Sequence, residues 1–456
     1  MAEAKYDCVV IGSGPGGYVA AVRAAQLGMK TAVVEKDRVG GRCLNYACIP
    51  AKAVLRAADV YSEVAHAGDF GVKVGDVSVD FAGVGKHRDK VIKTLTGGVA
   101  GLLKKNGVDV IEGAASLIPD GGVRVGDRDI ATERVVLATG SVPRTVMGLE
   151  WGERIVDTAG AWLASEQPKR LAVLGAGASG TEIASAFGRL GTDVVLLEAL
   201  PQILPLEDEE IAKAAARELR KQNIEIVTGA NVEAVKPGKK SVAVEWGGET
   251  HEFDLLCIAA GRGADVEGLE LDAADVETDE RGLVKVDERL RTSRDGVWAI
   301  GDIVPGPALA HKASDEGVIA VEDAAGLDTH PIDYDAIPAA TFSYPQVASF
   351  GMTEKEAREA GRDVVVGKVP LGAVGAPTVY GDRGGMVKIV GDAKYGELLG
   401  GHIVSVKAAD LIQELVMARQ LEGGFPEVAR TVHAHPSFAE AVMEAARAAD
   451  GWLIHG

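Results

Sequence analysis

The chain has 456 residues, 47% of them hydrophobic, and carries a formal net charge of −19 at pH 7. This length and apolar content allow two or three domains with cores of their own and exclude a disordered chain. The acidic balance argues against a nucleic-acid partner; since there is neither a secretory signal nor a run of 18 apolar residues, we predict a cytoplasmic protein without a membrane span.

The first predicted unit is a strand, a glycine-rich loop, a helix and a second strand. Residues 6–11 form a short apolar run typical of a buried parallel strand, and Gly12, Gly14 and Gly17 follow in the spacing GxGxxG. The second strand ends at Glu35, 23 residues after Gly12. Glycines at a helix N-terminus suit a diphosphate and a carboxylate at this distance suits a ribose, so the unit predicts a bound dinucleotide. The alternative is a tight turn without a ligand.

Two cysteines, Cys43 and Cys48, follow within the stretch VGGRCLNYACIPAK, residues 39–52. Residues five apart in a regular α-helix have Cα atoms roughly 8 to 9 Å apart, beyond the about 7 Å that a disulfide allows. If the pair closes, the backbone here must depart from a regular helix. Redox chemistry is the favoured interpretation, and a zinc half-site or two unrelated core thiols are the alternatives. Cys8 and Cys257 lie within apolar strands and are expected in the core.

The next segment leads to a domain boundary. Helices are predicted over residues 51–67, with Lys52 in the first turns, and near residues 86–105. An apolar strand over residues 134–140 ends in Gly140, and the sequence Ser-Val-Pro after it breaks the pattern. We place a domain crossing near this point.

The dinucleotide signal then repeats. A strand over residues 171–174 leads into Gly175, Gly177 and Gly180, and the following strand ends at Glu198, again 23 residues after the first glycine. Two such units imply two dinucleotides, as hydride exchange between a flavin and a nicotinamide requires. Because no Arg or Lys directly follows Glu198 to bind a 2′-phosphate, NAD is favoured over NADP.

Two more predicted strands end in candidate site residues. One over residues 254–261 ends in Gly261, and one over residues 297–300 leads into Asp302. Ligands bind at this end of the strands in parallel sheets, so Asp302 is a candidate ligand contact, although a plain turn aspartate is the alternative.

From residue 339 the glycine-rich loops cease, which predicts a separate C-terminal domain. It contains His435 and Glu440 beside an X-Pro turn. Ser437 and Glu440 have the spacing of a capping box for the final helix, which is one interpretation. The other is a proton-transfer pair in which Glu440 orients the His435 imidazole. His433 is expected to be a hydrogen-bonded companion of His435.

Six motifs together resemble the flavoprotein disulfide reductase family, in the family's order and over almost the whole length: GSGPGGYVAA, GGRCLNYACIPAK, GAGASGTE, AIGDI, LAHKASDEG and HAHPSFAE. The resemblance implies an α/β fold with two Rossmann-like dinucleotide-binding domains, for FAD and NAD, and a C-terminal α+β dimerisation domain. The domains would be residues 1–145 with 265–338 for FAD, 146–264 for NAD and 339–456 for dimerisation.

The resemblance also implies which residues bind the cofactors. The first glycine unit would hold FAD and the second NAD. The cofactor-binding residues would be Gly12, Gly14, Gly17, Glu35, Lys52, Gly140, Asp302, Gly175, Gly177, Gly180, Glu182, Glu198 and Gly261. Among them, Lys52 would lie beside the flavin and pair with Glu182.

The catalytic residues implied by the resemblance are Cys43, Cys48, Lys52, His435 and Glu440. Cys48 would be the thiol nearest the flavin, while Cys43 would exchange with the substrate. His435 would be the base, activated by Glu440. It would reach the disulfide of the other subunit, so the active site would need a homodimer.

The reaction implied by the resemblance is oxidation of dihydrolipoamide by NAD, through the disulfide and FAD. The substrate would be carried by lipoyl-bearing proteins of 2-oxoacid dehydrogenase or glycine cleavage complexes. Arg42, Ala47 and Ala51 depart from the family's usual residues, and a guanidinium beside Cys43 predicts a depressed thiol pKa. The alternatives are therefore an NADH-dependent reductase of another low-molecular-weight disulfide, such as an anionic one, and a scaffold whose acidic surface docks a basic segment.

Overall fold

The structure is a computed structural model that describes residues 5–456. The chain forms two compact units. The first contains the residues up to Ala53 together with Gly85–Arg144 and Gly261–Asp333, and the second contains Val54–Val84, Thr145–Ala260 and Tyr334–Gly456.

Strands and helices alternate along much of the chain. Strands β1 to β23 are Cys8–Ile11, Thr31–Glu35, Asp109–Glu112, Ala115–Leu117, Val123–Val125, Arg128–Ile130, Val135–Leu137, Ser141–Pro143, Ile155–Asp157, Arg170–Leu174, Asp193–Glu198, Ile224–Thr228, Val232–Pro237, Val242–Trp246, Glu249–Phe253, Leu255–Ile258, Arg262–Ala264, Val297–Ala299, Ala339–Thr341, Gln346–Gly351, Val364–Pro370, Met386–Asp392 and Leu398–Ser405. Helices α1 to α13 are Pro15–Gln26, Gly41–Asn45, Cys48–Ala65, Phe81–Lys105, Thr158–Trp162, Ala178–Arg189, Glu209–Leu219, Ala310–Ala324, Glu354–Glu359, Gly375–Tyr380, Ala408–Gln420, Phe425–Arg430 and Glu440–Ala449.

The first unit is built on a parallel sheet with strand order β18-β7-β1-β2-β3. Alternate residues of β1 enter different cores: Val9 and Ile11 belong to one apolar cluster, while Cys8 and Val10 belong to another. Both faces of the strand are therefore covered, as its unbroken apolar sequence predicts. Burial raises the pKa of the Cys8 thiol to about 12, in agreement with its predicted place in the core.

The second unit contains an equivalent parallel sheet with strand order β12-β11-β10-β16-β9. Its β10 and β11 take the places of β1 and β2, so the predicted repeat is confirmed. Cys257 is fully buried in β16 and belongs to the core, also as predicted. One face of the sheet packs on the antiparallel strands β13 to β15 through Val242, Val244 and Phe253.

The C-terminal part of the second unit is an antiparallel sheet, β19-β20-β23-β22-β21, with helices against it. Ile412 and Leu415 of α11 and Val442 of α13 share its apolar core. Antiparallel strands with segregated helices are the predicted α+β arrangement. The fold class predicted from the sequence is confirmed.

Two helices begin earlier than predicted. The predicted helix over residues 51–67 begins at Cys48, and the one near residues 86–105 begins at Phe81. Pro50 lies in the first turn of α3, where a proline removes an amide that has no intrahelical partner and therefore does not stop the helix. Within residues 5–456, no helix has the length and apolar content needed to cross a membrane.

One buried cation fastens two helices of the second unit to its antiparallel sheet. Lys388 of β22 places Nζ 2.9 Å from Asp208, 2.8 Å from Glu210 and 2.9 Å from Glu354. These carboxylates belong to the N-terminal ends of α7 and α9. Burial by itself lowers the pKa of Lys388, but the three carboxylates outweigh burial and raise it.

We expect Lys388→Met to lower the free energy of unfolding by about 3 kcal/mol, because it leaves the buried Asp208 carboxylate without its cation. Urea unfolding measures the loss, and Lys394→Met, on the exposed turn after β22, is the matched control. The pKa values of Asp208, Glu210 and Glu354 are lowered in the folded protein. Their contribution is thus complete above about pH 5, beyond the unfolded pKa values, and disappears as pH falls through the folded values. Equal stability of the two variants would contradict this role.

Candidate active site

The first glycine-rich loop joins β1 to α1. Gly12 has a φ of +101°, and a Cβ on it would lie 2.3 Å from the Ala138 carbonyl oxygen. A Cβ on Gly17 would lie 1.9 Å from the Gly12 carbonyl oxygen, so helix packing requires this glycine. Gly14 has an ordinary φ of −61°, and a Cβ there would meet no atom of residues 5–456 within 4 Å. Neither conformation nor protein packing therefore explains Gly14.

The second loop, between β10 and α6, repeats this arrangement. Gly175 has a φ of +102°, and a Cβ on Gly180 would lie 1.9 Å from the Gly175 carbonyl oxygen. A Cβ on Gly177, whose φ is −68°, would again face open space in the described part of the chain. A middle glycine of this kind lets a diphosphate approach the backbone at a helix N-terminus. Both loops fit a dinucleotide.

Each loop is fixed by the carboxylate that ends the next strand. Glu35 Oε2 accepts hydrogen bonds from the Ser13 amide at 2.9 Å and from the Ser13 hydroxyl at 2.5 Å. Glu198 accepts from the amides of Ala176 at 2.7 Å and Leu200 at 2.9 Å. A carboxylate has about four lone-pair sites, so both retain acceptor capacity for a ribose hydroxyl.

A cavity of about 350 Å³ lies in the first unit and gathers several predicted site residues. Its lining includes Gly12, Gly14, Glu35, Cys43, Cys48, Gly140 and Asp302. The cysteine pair and the first glycine loop therefore share one cavity, although the sequence separates them by about one helix and one strand.

Asp302 lies at the wall of this cavity, in the one-turn 3₁₀ helix Gly301–Ile303 that follows β18. Its Oδ2 accepts a hydrogen bond from the Ser141 hydroxyl at 2.6 Å and lies 3.5 Å from Arg262 Nη1. The strand-end position predicted for this aspartate is confirmed.

The backbone between the two cysteines is not a regular helix, which is the departure that a closing pair would need. Cys43 lies in α2 and Cys48 begins α3, while Tyr46 and Ala47 separate the two helices, with φ −135° at Tyr46. The preceding Gly41 holds this segment on the glycine loop, because a Cβ on it would lie 2.6 Å from the Gly14 Cα.

The thiol of Cys43 has a raised pKa when both cysteines are reduced. The causes are a hydrogen bond with Cys48, burial, and the charge that Cys48 carries as a thiolate. Lys52 is the cation that opposes the increase. The predicted depression of this pKa is therefore wrong, because the pKa of Cys43 is raised; Arg42 lines the same cavity.

His435 and Glu440 form a hydrogen-bonded pair in the second unit. Glu440 Oε1 lies 2.9 Å from His435 Nδ1, and Glu440 Oε2 accepts from the Ser437 amide at 2.9 Å. Burial tends to raise the pKa of Glu440, but these hydrogen bonds outweigh burial and hold it below its ordinary value. The imidazole is oriented by an ionised carboxylate, while its side chain is 77% exposed and open to a second molecule.

Two interpretations of this segment are wrong. The capping box does not form, because α13 begins at Glu440 with Ala439 as its N-cap, and within residues 5–456 the buried Ser437 hydroxyl has no hydrogen-bond partner. His433 is not a companion of His435: its Nε2 lies 2.6 Å from Glu414, whose hydrogen bond raises the His433 pKa.

Family models match nearly the whole chain. Residues 6–317 match the pyridine nucleotide-disulphide oxidoreductase model, and residues 337–446 match the dimerisation domain of the same family. The chain belongs to the pyridine nucleotide-disulphide oxidoreductase family. The resemblance predicted from the six motifs is confirmed, and the matched dimerisation domain supports a homodimer.

Individual members of the family are similar over their full length. The chain is 42% identical to a dihydrolipoyl dehydrogenase of Bacillus subtilis, over 98% of this chain and 97% of that protein. It is 40% identical to the dihydrolipoyl dehydrogenase of Geobacillus stearothermophilus, with the same coverage. The structure of the HOCl-induced flavoprotein disulfide reductase RclA of Escherichia coli has a TM-score of 0.87 and 29% identity, over 96% of this chain and 98% of that one.

As a member of this oxidoreductase family, the protein is an NAD-dependent flavoprotein enzyme whose cofactors are FAD and NAD. Other site residues stay predictions. Lys52 lies in the first two turns of α3, Glu182 is buried in α6, where one oxygen accepts from the Phe342 amide, and Gly261 follows β16 with a φ of +118°. The pairing of Lys52 with Glu182 and the contact of Gly261 with a cofactor are among these predictions.

Sequence reasoning missed three residues that shape the cavity. Ser13, inside GxGxxG, joins the glycine loop to Glu35, and its hydroxyl also accepts from the Gly40 amide at 3.1 Å. Ser141, assigned only to a pattern break, donates to Asp302. Lys312, which occurs in the quoted motif LAHKASDEG, donates to the Gly301 carbonyl at 2.8 Å. The position of Ser141 directly after Gly140, at the end of a predicted strand, is the one local signal that places it near Asp302.

We expect Gly177→Ala and Gly180→Ala to have different effects. Gly180→Ala places a methyl group against the Gly175 carbonyl and should sharply lower the thermal midpoint. Gly177→Ala faces open space and should change the free energy of unfolding by less than about 1 kcal/mol. It should raise the NAD dissociation constant roughly tenfold or more, since hydrogen bonds to a charged group contribute about 1.5–3 kcal/mol each. Unchanged NAD binding by Gly177→Ala would contradict the diphosphate assignment.

Proposed function

We propose that the protein is a dihydrolipoyl dehydrogenase, which oxidises dihydrolipoamide to lipoamide and reduces NAD. The observation that carries this proposal is the placement of Cys43 and Cys48 on the cavity that also contains the first glycine loop. Full-length similarity to dihydrolipoyl dehydrogenases at 40% identity or more supports the same reaction.

His435 is the proposed base. A hydrogen bond from Nδ1–H to Glu440 fixes the tautomer in which Nε2 carries the free lone pair. Nε2 can then take a proton from a substrate thiol, and the Glu440 carboxylate stabilises the imidazolium that forms. The exposed imidazole suits a base that serves the cysteine pair of the other subunit in a homodimer.

Cys43 is the proposed site of exchange. With the pair oxidised, the substrate thiolate attacks Cys43 Sγ, the disulfide breaks, and Cys48 leaves as a thiolate. The second substrate sulfur then attacks the first, forming the S–S bond of lipoamide and releasing Cys43 as a thiolate. Two electrons have passed to the pair, and Lys52 offsets part of the negative charge.

The two cofactors complete the proposal. The first glycine loop, Glu35 and Asp302 would hold FAD, and the second loop with Glu198 would hold NAD. Bound FAD supplies the redox chemistry that links a dithiol to a nicotinamide. The division into residues 1–145 with 265–338, 146–264 and 339–456 remains part of this proposal.

Lipoyl-bearing proteins of 2-oxoacid dehydrogenase or glycine cleavage complexes are the proposed partners, because a mobile lipoyl arm would deliver the substrate to the cysteine pair. We propose a cytoplasmic location on the similarity to bacterial dihydrolipoyl dehydrogenases.

The test is an anaerobic titration of the holoenzyme with dihydrolipoamide, followed by NAD, in a visible spectrometer. We expect dihydrolipoamide to alter the flavin spectrum, NADH to form on addition of NAD, and both changes to be lost in Cys43→Ser. If NADH reduces the flavin but dihydrolipoamide leaves the spectrum unchanged, the lipoamide assignment fails. An anionic disulfide, with Arg42→Thr as the probe of charge recognition, would then be the next substrate to test.

We expect Glu440→Gln to lower kcat for dihydrolipoamide oxidation by about 10²-fold, because the neutral amide cannot stabilise the imidazolium. Ser437→Ala is the matched control, since only the backbone amide of Ser437 contacts Glu440 and its kcat should be unchanged. Steady-state kinetics at equal flavin content decides the matter. A similar loss of kcat in Glu440→Gln and Ser437→Ala would argue against the proton-transfer role of His435 and Glu440.

A further inference from the structure

A buried ion pair lies on α8, beside the wall of the cavity. Lys312 Nζ is 3.0 Å from Glu316 Oε1, one helical turn away, and both side chains are 0% exposed. Burying two charges is unfavourable unless further hydrogen bonds compensate for lost hydration. The proposed reaction assigns no role to either residue.

Both charges are hydrogen-bonded to the backbone of Gly301, the residue before Asp302. Lys312 Nζ donates to the Gly301 carbonyl at 2.8 Å, and the Gly301 amide donates to Glu316 Oε2 at 2.7 Å. The amide belongs to the peptide that joins Ile300 to Gly301, and the carbonyl to the peptide that joins Gly301 to Asp302. The pair thus fixes both peptide planes that lead into Asp302, at a residue with a φ of +79°.

Helix α8 is itself held closely against α1. A Cβ on Gly317 would lie 2.7 Å from the Gly16 carbonyl oxygen, and a Cβ on Gly16 would lie 2.8 Å from the Ala313 carbonyl oxygen. Helix α1 begins at the first glycine loop. The ion pair therefore relates the position of Asp302 to the loop proposed to bind the FAD diphosphate.

We propose that Lys312 and Glu316 are positioning residues for FAD, which act through Gly301 on the carboxylate of Asp302. The inference rests on the proposed assignment of Asp302 to FAD. An apolar pair of similar volume is often as stable as a buried ion pair, so stability alone does not account for these two charges. The hydrogen bonds from the pair to the backbone of Gly301 account for the two charges.

Two double variants that differ at one position test this role. Lys312→Met with Glu316→Leu removes both contacts to Gly301 and leaves no buried charge. Lys312→Met with Glu316→Gln restores an acceptor for the Gly301 amide. We expect the Met/Leu protein to show an FAD dissociation constant raised about tenfold or more and an altered visible circular dichroism of bound flavin. Both effects should be smaller but still measurable in the Met/Gln protein, which regains the acceptor for the Gly301 amide but lacks the donor to the Gly301 carbonyl. Flavin fluorescence on serial dilution of the holoenzyme gives the dissociation constant.

Asp323→Asn is the control for general destabilisation of the same helix and strand. Asp323 is buried near the other end of α8 and accepts from Trp298 Nε1 of β18 at 2.9 Å, away from Gly301. It should lower the thermal midpoint without changing the FAD dissociation constant. If the Met/Leu protein behaves like Asp323→Asn, the positioning role is overturned.

Two further outcomes are decisive. If Asp302→Asn leaves FAD binding unchanged, the assignment of Asp302 to FAD is refuted, and the positioning role with it. If Asp302→Asn weakens FAD binding but the Met/Leu protein does not, only the positioning role is refuted. Should Met/Leu not fold, the Met/Gln protein carries the test, because it still lacks the donor to the Gly301 carbonyl. An FAD dissociation constant equal to wild type in that protein would overturn the proposal.

Discussion

The close approach of a helix to the loop that precedes it is the constraint on which the site depends. Gly17 and Gly180 lie so near the carbonyls of Gly12 and Gly175 that only a hydrogen fits in place of a side chain. Each helix N-terminus is thereby brought to the edge of its parallel sheet, where orphan amides favour an anion. The carboxylates Glu35 and Glu198 then fix each loop from the neighbouring strand.

The two cysteines reach the cavity of the first unit through the same glycine loop. Gly41 lies against Gly14, and the Gly40 amide donates to the Ser13 hydroxyl, so the cysteine segment packs directly on the first glycine loop. Cys43 lies in α2 and Cys48 begins α3, so the backbone between the two cysteines is not one continuous helix. Because both cysteines and the glycine loop line one cavity, a shift in the loop would also move the cysteine segment.

Charged side chains have different roles in different parts of the structure. At the cavity, Lys52 partly offsets the burial and the neighbouring thiol that raise the Cys43 pKa. In the second unit, Glu440 is held ionised by hydrogen bonds and orients an exposed imidazole. Buried cations elsewhere have structural partners: Lys388 joins two helices to a sheet, and Lys312 holds a backbone turn.

The sequence by itself determined the two dinucleotide units, the broken helix at the cysteines and the α+β C-terminal part, because glycine spacing, apolar runs and strand-end acids are local signals. Only the tertiary structure decided which side chains meet across long separations. Ser141 and Asp302 are 161 residues apart, and Ser13 and Gly40 are 27 apart. It also decided against the capping box at Ser437 and against the pairing of His433 with His435, since both patterns were locally acceptable. Such choices depend on the packing of distant elements, which spacing along a chain does not encode.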